Sequence, residues 1–185
     1  PQAVFVGLSM GGYILFAFYR RYAGLVKGFV LADTKAQPDT PEGKEGRFQM
    51  ARTAYKNGPS AVADIMIPKL LSPATIRTKP EIVQRVRMMI EGNQVSGIAG
   101  DLMAMAERPD SIPLLKQISC PTQIIVGESD QATPLSDAKL MADQIPGARL
   151  AVIPGAAHLA NLEQPELFTQ IVRSFAENVA ETQSR

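Results

Sequence analysis

At 185 residues the chain has the length of one ordinary domain with room for a small insertion. Its 45% hydrophobic and 20% charged residues suit a globular core, and a net charge of +1 gives no basis for nucleic acid or an anionic membrane as partner. A single cysteine, Cys120, rules out an intramolecular disulfide, and one histidine without a Cys/His cluster speaks against a metal site, so no metal and no cofactor is expected.

Ala3 to Val6 is a short apolar run that reads as a buried strand. Gly7-Leu8-Ser9-Met10-Gly11 then fits G-x-S-x-G, and Tyr13 to Tyr22 reads as a helix. Strand, sharp turn and helix is the setting in which that motif lifts a serine oxygen clear of a sheet. Chance alone gives the pattern in roughly one chain of this length in twenty, so the setting matters more than the letters. The bland alternative is a glycine-rich turn with Ser9 as a helix cap. Gly7 and Gly11 are read as the small flanking residues the turn demands, with Gly12 giving the helix room to pack. The helix is apolar nearly all round as far as Arg20, which predicts burial on every side. The chain opens on Pro1 and is at once in this strand. Because termini lie at the surface, the front half of a longer protein is expected to precede it.

Lys27 to Asp33 reads as a second buried strand, and near-continuous apolar strands alternating with helices predict a parallel α/β sheet. From Thr34 to Arg108 the rhythm changes. Ala36 to Gly46 reads as a polar loop; Phe48–Tyr55, Ala61–Leu71, Glu81–Ile90 and Ile98–Glu107 have helical period. Ile82, Val83, Val86, Met89 and Ile90 are placed on one apolar face, and the methionines suit an adaptable surface or simply fill a core. Residues 34–108 are thus expected to be a helical insertion in a core made of 1–33 and 109–185. Gln123–Val126 and Ala148–Ile153 restore the strands, with helices at Ser136–Ile145 and from Pro165 to Val179. No apolar run reaches the ~18 residues of a membrane span and no signal peptide is visible; with the lone cysteine, this makes a reducing, cytoplasmic location the expectation.

Ser9, Asp130 and His158 follow in the chain order expected when a nucleophile rides this elbow. Each follows the end of a predicted strand, where open α/β sheets gather their sites. A serine hydroxyl is a poor nucleophile until a neutral imidazole takes its proton, and the imidazole needs a carboxylate to fix its tautomer. As the only histidine, His158 must be the base if this chemistry operates. Asp33, Glu128 and Asp137 are rival acids. Asp33 is the serious one, since the second strand's end can supply a carboxylate with little change in geometry, and Asp130 is preferred.

The segments V-F-V-G-L-S-M-G-G-Y at 4–13, L-A-D-T at 31–34 and R-P-D-S at 108–111 resemble the α/β-hydrolase family. So do P-T-Q-I-I-V-G-E-S-D-Q-A-T-P at 121–134 and I-P-G-A-A-H-L-A-N-L-E-Q-P at 153–165. The branch is that of esterases, enol-lactonases and perhydrolases, and the tail from Gly155 is most similar to 3-oxoadipate enol-lactonases. The resemblance implies an N-terminally truncated α/β-hydrolase fold with Ser9 as nucleophile, Asp130 as acid, His158 as base and the Met10 N–H as one oxyanion donor. It also implies that residues 34–108 form a cap over the pocket. The expected activity is ester hydrolysis through an acyl-serine, with lactone opening or cofactor-free perhydrolysis as alternatives on the same residues. In this family a loop after an earlier strand supplies the second oxyanion N–H. Without it, turnover is expected to be weak, since one donor is worth about 10²–10³ in rate. A catalytically silent assembly module is the remaining alternative. The expected partners are a small ester or lactone and a second copy, as a homo-oligomer or swapped dimer covering the open edge of strand 3–6.

Overall fold

The computed structural model describes residues 2–181. Four parallel strands form one sheet in the order β1-β2-β3-β4: β1 (Ala3–Leu8), β2 (Val26–Ala32), β3 (Thr122–Gly127) and β4 (Arg149–Ile153). Strand alternation sends successive side chains to opposite faces. Phe29 and Leu31 of β2, with Ile124 and Val126 of β3, pack against α1 (Met10–Tyr22) and, later in the chain, α7 (Leu135–Gln144). Val30, Ala32 and Ile125 face the other way, onto the C-terminal helix α9 (Pro165–Glu181). β2 and β3 are buried at nearly every position, as central parallel strands should be, whereas β1 and β4 are partly exposed.

Between β2 and β3 the regular elements of the described chain are all helices: α2 (Pro41–Leu70), α3 (Pro73–Thr78), α4 (Pro80–Glu91), α5 (Val95–Ala106) and the short α6 (Ile112–Leu115). α2 and α4 share a core of their own, in which Ala63, Ile67, Leu71 and Val86 are buried. The entry and exit of this segment are pinned by buried charge. Arg108 donates to Asp39 Oδ1 at 2.8 Å and to the Gln37 carbonyl at 3.0 Å, and Arg47 pairs with the same carboxylate. Burial alone would push Asp39 up, but the two guanidiniums outweigh it and hold the carboxyl well below the usual carboxylate range.

Several expectations are corrected. The loop read over Ala36–Gly46 is helical from Pro41 onward. Thr40 caps α2 by accepting the Gly43 amide at 3.1 Å, and Pro41 sits at the first turn, where its missing N–H costs nothing. The segments read at 48–55 and 61–71 are two helical stretches of α2 that meet at Gly58, whose φ of 79° is non-helical, and the first begins earlier than read, at Pro41. α1 is not buried all round: Leu15, Phe16 and Tyr19 face the sheet while Ile14 is 58% exposed. Met89 lies on the exposed side of α4, off the face to which the periodicity assigns it. The short helices α3, α6 and α8 (Ala160–Glu163) carry too few residues to show a period and are absent from the sequence reading.

Candidate active site

Ser9 occupies the step from β1 into α1 with φ 52° and ψ −114°, a conformation costing a non-glycine residue about 1–3 kcal/mol. The surroundings hold it there. The Ser9 amide donates to the Ala32 carbonyl at 2.9 Å; its own carbonyl accepts from the Gly12 amide at 2.9 Å and from Thr34 Oγ1 at 2.7 Å. Gly7 is obligatory by contact, since a Cβ there would lie 2.7 Å from the Gly11 backbone. Gly11 is not: a Cβ at that position meets nothing within 4 Å, and the second tight approach falls on Gly12, against the Thr34 side chain. The helix-cap alternative for Ser9 is also unrealised, because the side chain makes no capping bond.

The Ser9 hydroxyl instead reaches His158 Nε2 at 2.8 Å, and His158 Nδ1 lies 2.9 Å from Asp130 Oδ2. His158 follows β4 by a loop that crosses directly over the end of β3. A Cβ at Gly127 would fall 2.1 Å from the Ala157 carbonyl oxygen, so only glycine lets the two strand ends approach this closely. Asp130 is buried in a turn just beyond β3. Its Oδ1 accepts the Ala132 and Thr133 amides at 2.8 and 3.0 Å, and its Oδ2 accepts the Thr133 hydroxyl at 2.7 Å. Burial pushes the carboxyl up, yet the bond and charge of His158 and the bonds from Thr133 outweigh it and leave Asp130 below the ordinary value. An ionised carboxylate can only accept, so the imidazole proton sits on Nδ1 and the Nε2 lone pair faces the Ser9 hydroxyl. That array can take the serine proton as the oxygen attacks a carbonyl carbon.

The rival acids lie elsewhere. Asp33 is fully buried and accepts the Gly127 amide at 2.8 Å through Oδ1, while Oδ2 has no hydrogen-bond partner. Burial pushes Asp33 up to about 8 against the Gly127 amide, and the Asp130 charge adds to this, so Asp33 holds its proton at neutral pH. Glu128 accepts the Gly155 amide at 3.1 Å, and Asp137 accepts from Gln37 Nε2 at 2.9 Å. The Met10 amide is at the first residue of α1, where helix N–H groups have no intrahelical acceptor and the dipole favours negative charge. A cavity of about 340 Å³ adjoins it, lined in part by Met10, Tyr13, Met105 and Arg108, the last stacked 4.3 Å from the Tyr13 ring centre. The described residues hold no cluster of three or more metal-ligating side chains. They also hold no helix long and apolar enough to cross a membrane.

Thr133, Thr34 and Glu163 shape this site and were not singled out in the sequence. For Thr133 a signal exists: Asp three residues before a Thr-Pro pair is a turn in which side chain and backbone share bonds. For Thr34 there is none, because its partner Ser9 is 25 residues away, and for Glu163 the Ala157 amide is near in the chain but the Ser72 amide is 91 residues off.

The model of the family described as the alpha/beta hydrolase fold matches residues 1–165. Among characterised proteins, the chain is 29% identical over 178 residues to 3-oxoadipate enol-lactonase 2 of Acinetobacter baylyi, covering 94% of this chain and 63% of that protein. Among solved structures it is similar to a thermophilic esterase from Thermogutta terrifontis with malate bound, at TM-score 0.93 and 43% identity over 96% of this chain and 65% of that one. It is similar also to the enol-lactonase from Burkholderia xenovorans LB400, at TM-score 0.86 and 29% identity, with 94% and 65% covered. The chain therefore spans just under two thirds of the length of these relatives. With its parallel sheet, its helical segment between β2 and β3 and a family match over most of its length, this chain belongs to the α/β-hydrolase family.

Proposed function

We propose that this chain hydrolyses carboxylic esters through an acyl-serine intermediate. The observation that carries the reading is the Ser9–His158–Asp130 relay, with contacts of 2.8 and 2.9 Å, built on a strained turn that presents the serine oxygen. In this reading His158 Nε2 takes the hydroxyl proton as Ser9 Oγ bonds to the carbonyl carbon. The Met10 amide donates to the oxyanion that develops, and Asp130 stabilises the imidazolium. Collapse breaks the bond to the alkoxy group, which leaves as the alcohol with the proton from Nε2. Water then gives a proton to Nε2 as its oxygen attacks the acyl carbon, and the bond to Ser9 Oγ breaks as that oxygen takes the proton back from Nε2, releasing the acid and the free hydroxyl. Residues 34–108 act as the cap, and Met105 and Arg108 of that segment line the cavity beside Met10 and Tyr13.

Two relatives named as enol-lactonases favour a second substrate, an internal ester that the same residues would open. One panel separates the two: a short p-nitrophenyl ester against an enol-lactone. Ser9→Ala is expected to lower either turnover to background, about 10⁴-fold or more. A fluorophosphonate is expected to label Ser9 in the parent and nothing in the variant. Unchanged turnover in Ser9→Ala would remove Ser9 as the nucleophile, and a parent that neither turns over an ester nor takes the probe would leave the assembly-module alternative.

A further inference from the structure

Glu163 closes α8 with no exposed surface, and its carboxylate has two unlike partners. Oε1 accepts the Ala157 amide at 2.7 Å, in the loop residue just before His158. Oε2 accepts the Ser72 amide at 2.9 Å, at the cap of α3 in the helical segment between β2 and β3. A buried carboxylate is costly unless its oxygens are hydrogen-bonded, and bonds from backbone amides to an ionised acceptor are among the strong ones. The same seam carries three more ties. Lys79 Nζ donates to the Glu163 carbonyl at 2.9 Å, the Leu159 amide donates to the Leu70 carbonyl at 3.2 Å, and Leu159 and Leu162 pack on the Ile67, Leu71 and Val86 cluster. The loop that bears His158 is therefore bonded on one side to the helical segment and on the other to the end of β3.

We infer that Glu163 is a positioning residue: by bonding the Ala157 and Ser72 amides at once, it makes the reach of His158 to Ser9 depend on the docked helical segment. The inference rests on His158 acting as base for Ser9. Its force comes from the tolerance of proton transfer: misplacing a reacting group by about 1 Å costs on the order of 10²-fold in rate.

Two substitutions test it from opposite ends of the bridge. Glu163→Gln keeps the shape but turns an amide NH₂ toward one of the two N–H donors. Ser72→Pro deletes the other donor without forcing the backbone, because Ser72 already has φ −64° and Leu71 before it has φ −115° and ψ 147°. Ser72→Ala is its control, losing the same capping hydroxyl while keeping the amide. On a p-nitrophenyl ester, kcat is expected to fall about 10–100-fold in Glu163→Gln and about 10-fold in Ser72→Pro relative to Ser72→Ala. KM should stay within about threefold, and fluorophosphonate labelling of Ser9 should slow in parallel with kcat. If kcat and labelling stay within twofold of their controls while Ser9→Ala is inactive, the positioning role is overturned and the ester-hydrolase reading stands. A loss confined to KM overturns it equally. Activity surviving in Ser9→Ala would overturn the hydrolase reading and this inference with it. Should Glu163→Gln fail to fold, the Ser72 pair decides alone.

Discussion

Ser9 and Asp33 are the non-glycine residues with positive φ among the described residues, and both stand at strand ends beside the candidate site. Strain of that kind persists where the surrounding bonds over-determine it. At Asp33 it accompanies a carboxyl that burial pushes up to about 8, well above the ordinary carboxylate value. Folded chains then hold a proton that unfolded chains have released. This contribution to stability is complete below the unfolded value near 4 and is lost as pH rises through about 8. The slope is at most about 1.4 kcal/mol per pH unit. Asp33→Asn keeps an oxygen for the Gly127 amide, suits a positive φ and cannot ionise. The melting temperature of the parent is expected to fall between pH 5 and 9 more steeply than that of Asp33→Asn; parallel curves would remove Asp33 as the source. The same side chain shows where sequence reading stops. Its position after β2 makes it a fair rival to Asp130, and only burial and the placement of the imidazole separate the two.

At the scale of elements, α2 is two helices joined at Gly58, with φ 79° and ψ 176° followed by Pro59. A Cβ there meets nothing within 4 Å, so the demand for glycine is conformational and not steric. Gly58→Ala is expected to cost about 1–2 kcal/mol, seen as a lower denaturation midpoint. Gly46 in the same element is equally open without a positive φ, and Gly46→Ala is expected to be neutral or stabilising by up to about 1 kcal/mol. Equal effects at the two sites would show that the break in α2 carries no strain. Glycines and prolines also explain the misread start of α2. Pro41, Gly43 and Gly46 are the residues of a loop by composition, and it is the Thr40 cap and packing along the segment that make them helical.

For the whole molecule, β1 is an edge of the described sheet, bonded to β2 alone, with Val6 50% exposed and Ile14 of α1 58% exposed beside it. An open apolar edge pairs readily with another strand. The 185-residue chain by itself is expected to elute from size-exclusion as a dimer or larger species, with Val6→Lys shifting it toward monomer. A clean monomer at micromolar concentration in the parent would show that this edge needs no second copy.

The sequence by itself determined the parallel sheet, the helical run between its second and third strands, and the order Ser9, Asp130, His158. All three follow from local facts: apolar runs, periodicity, and a motif whose turn demands a particular setting. What the tertiary structure decided is which remote groups meet. Asp130 and not Asp33 takes the imidazole, Gly127 and not Gly11 admits a close backbone approach, and Glu163 joins two segments 91 residues apart in the chain. None of these has a local signature, because burial and hydrogen bonding between distant residues arise only when the strands and the helical segment pack together.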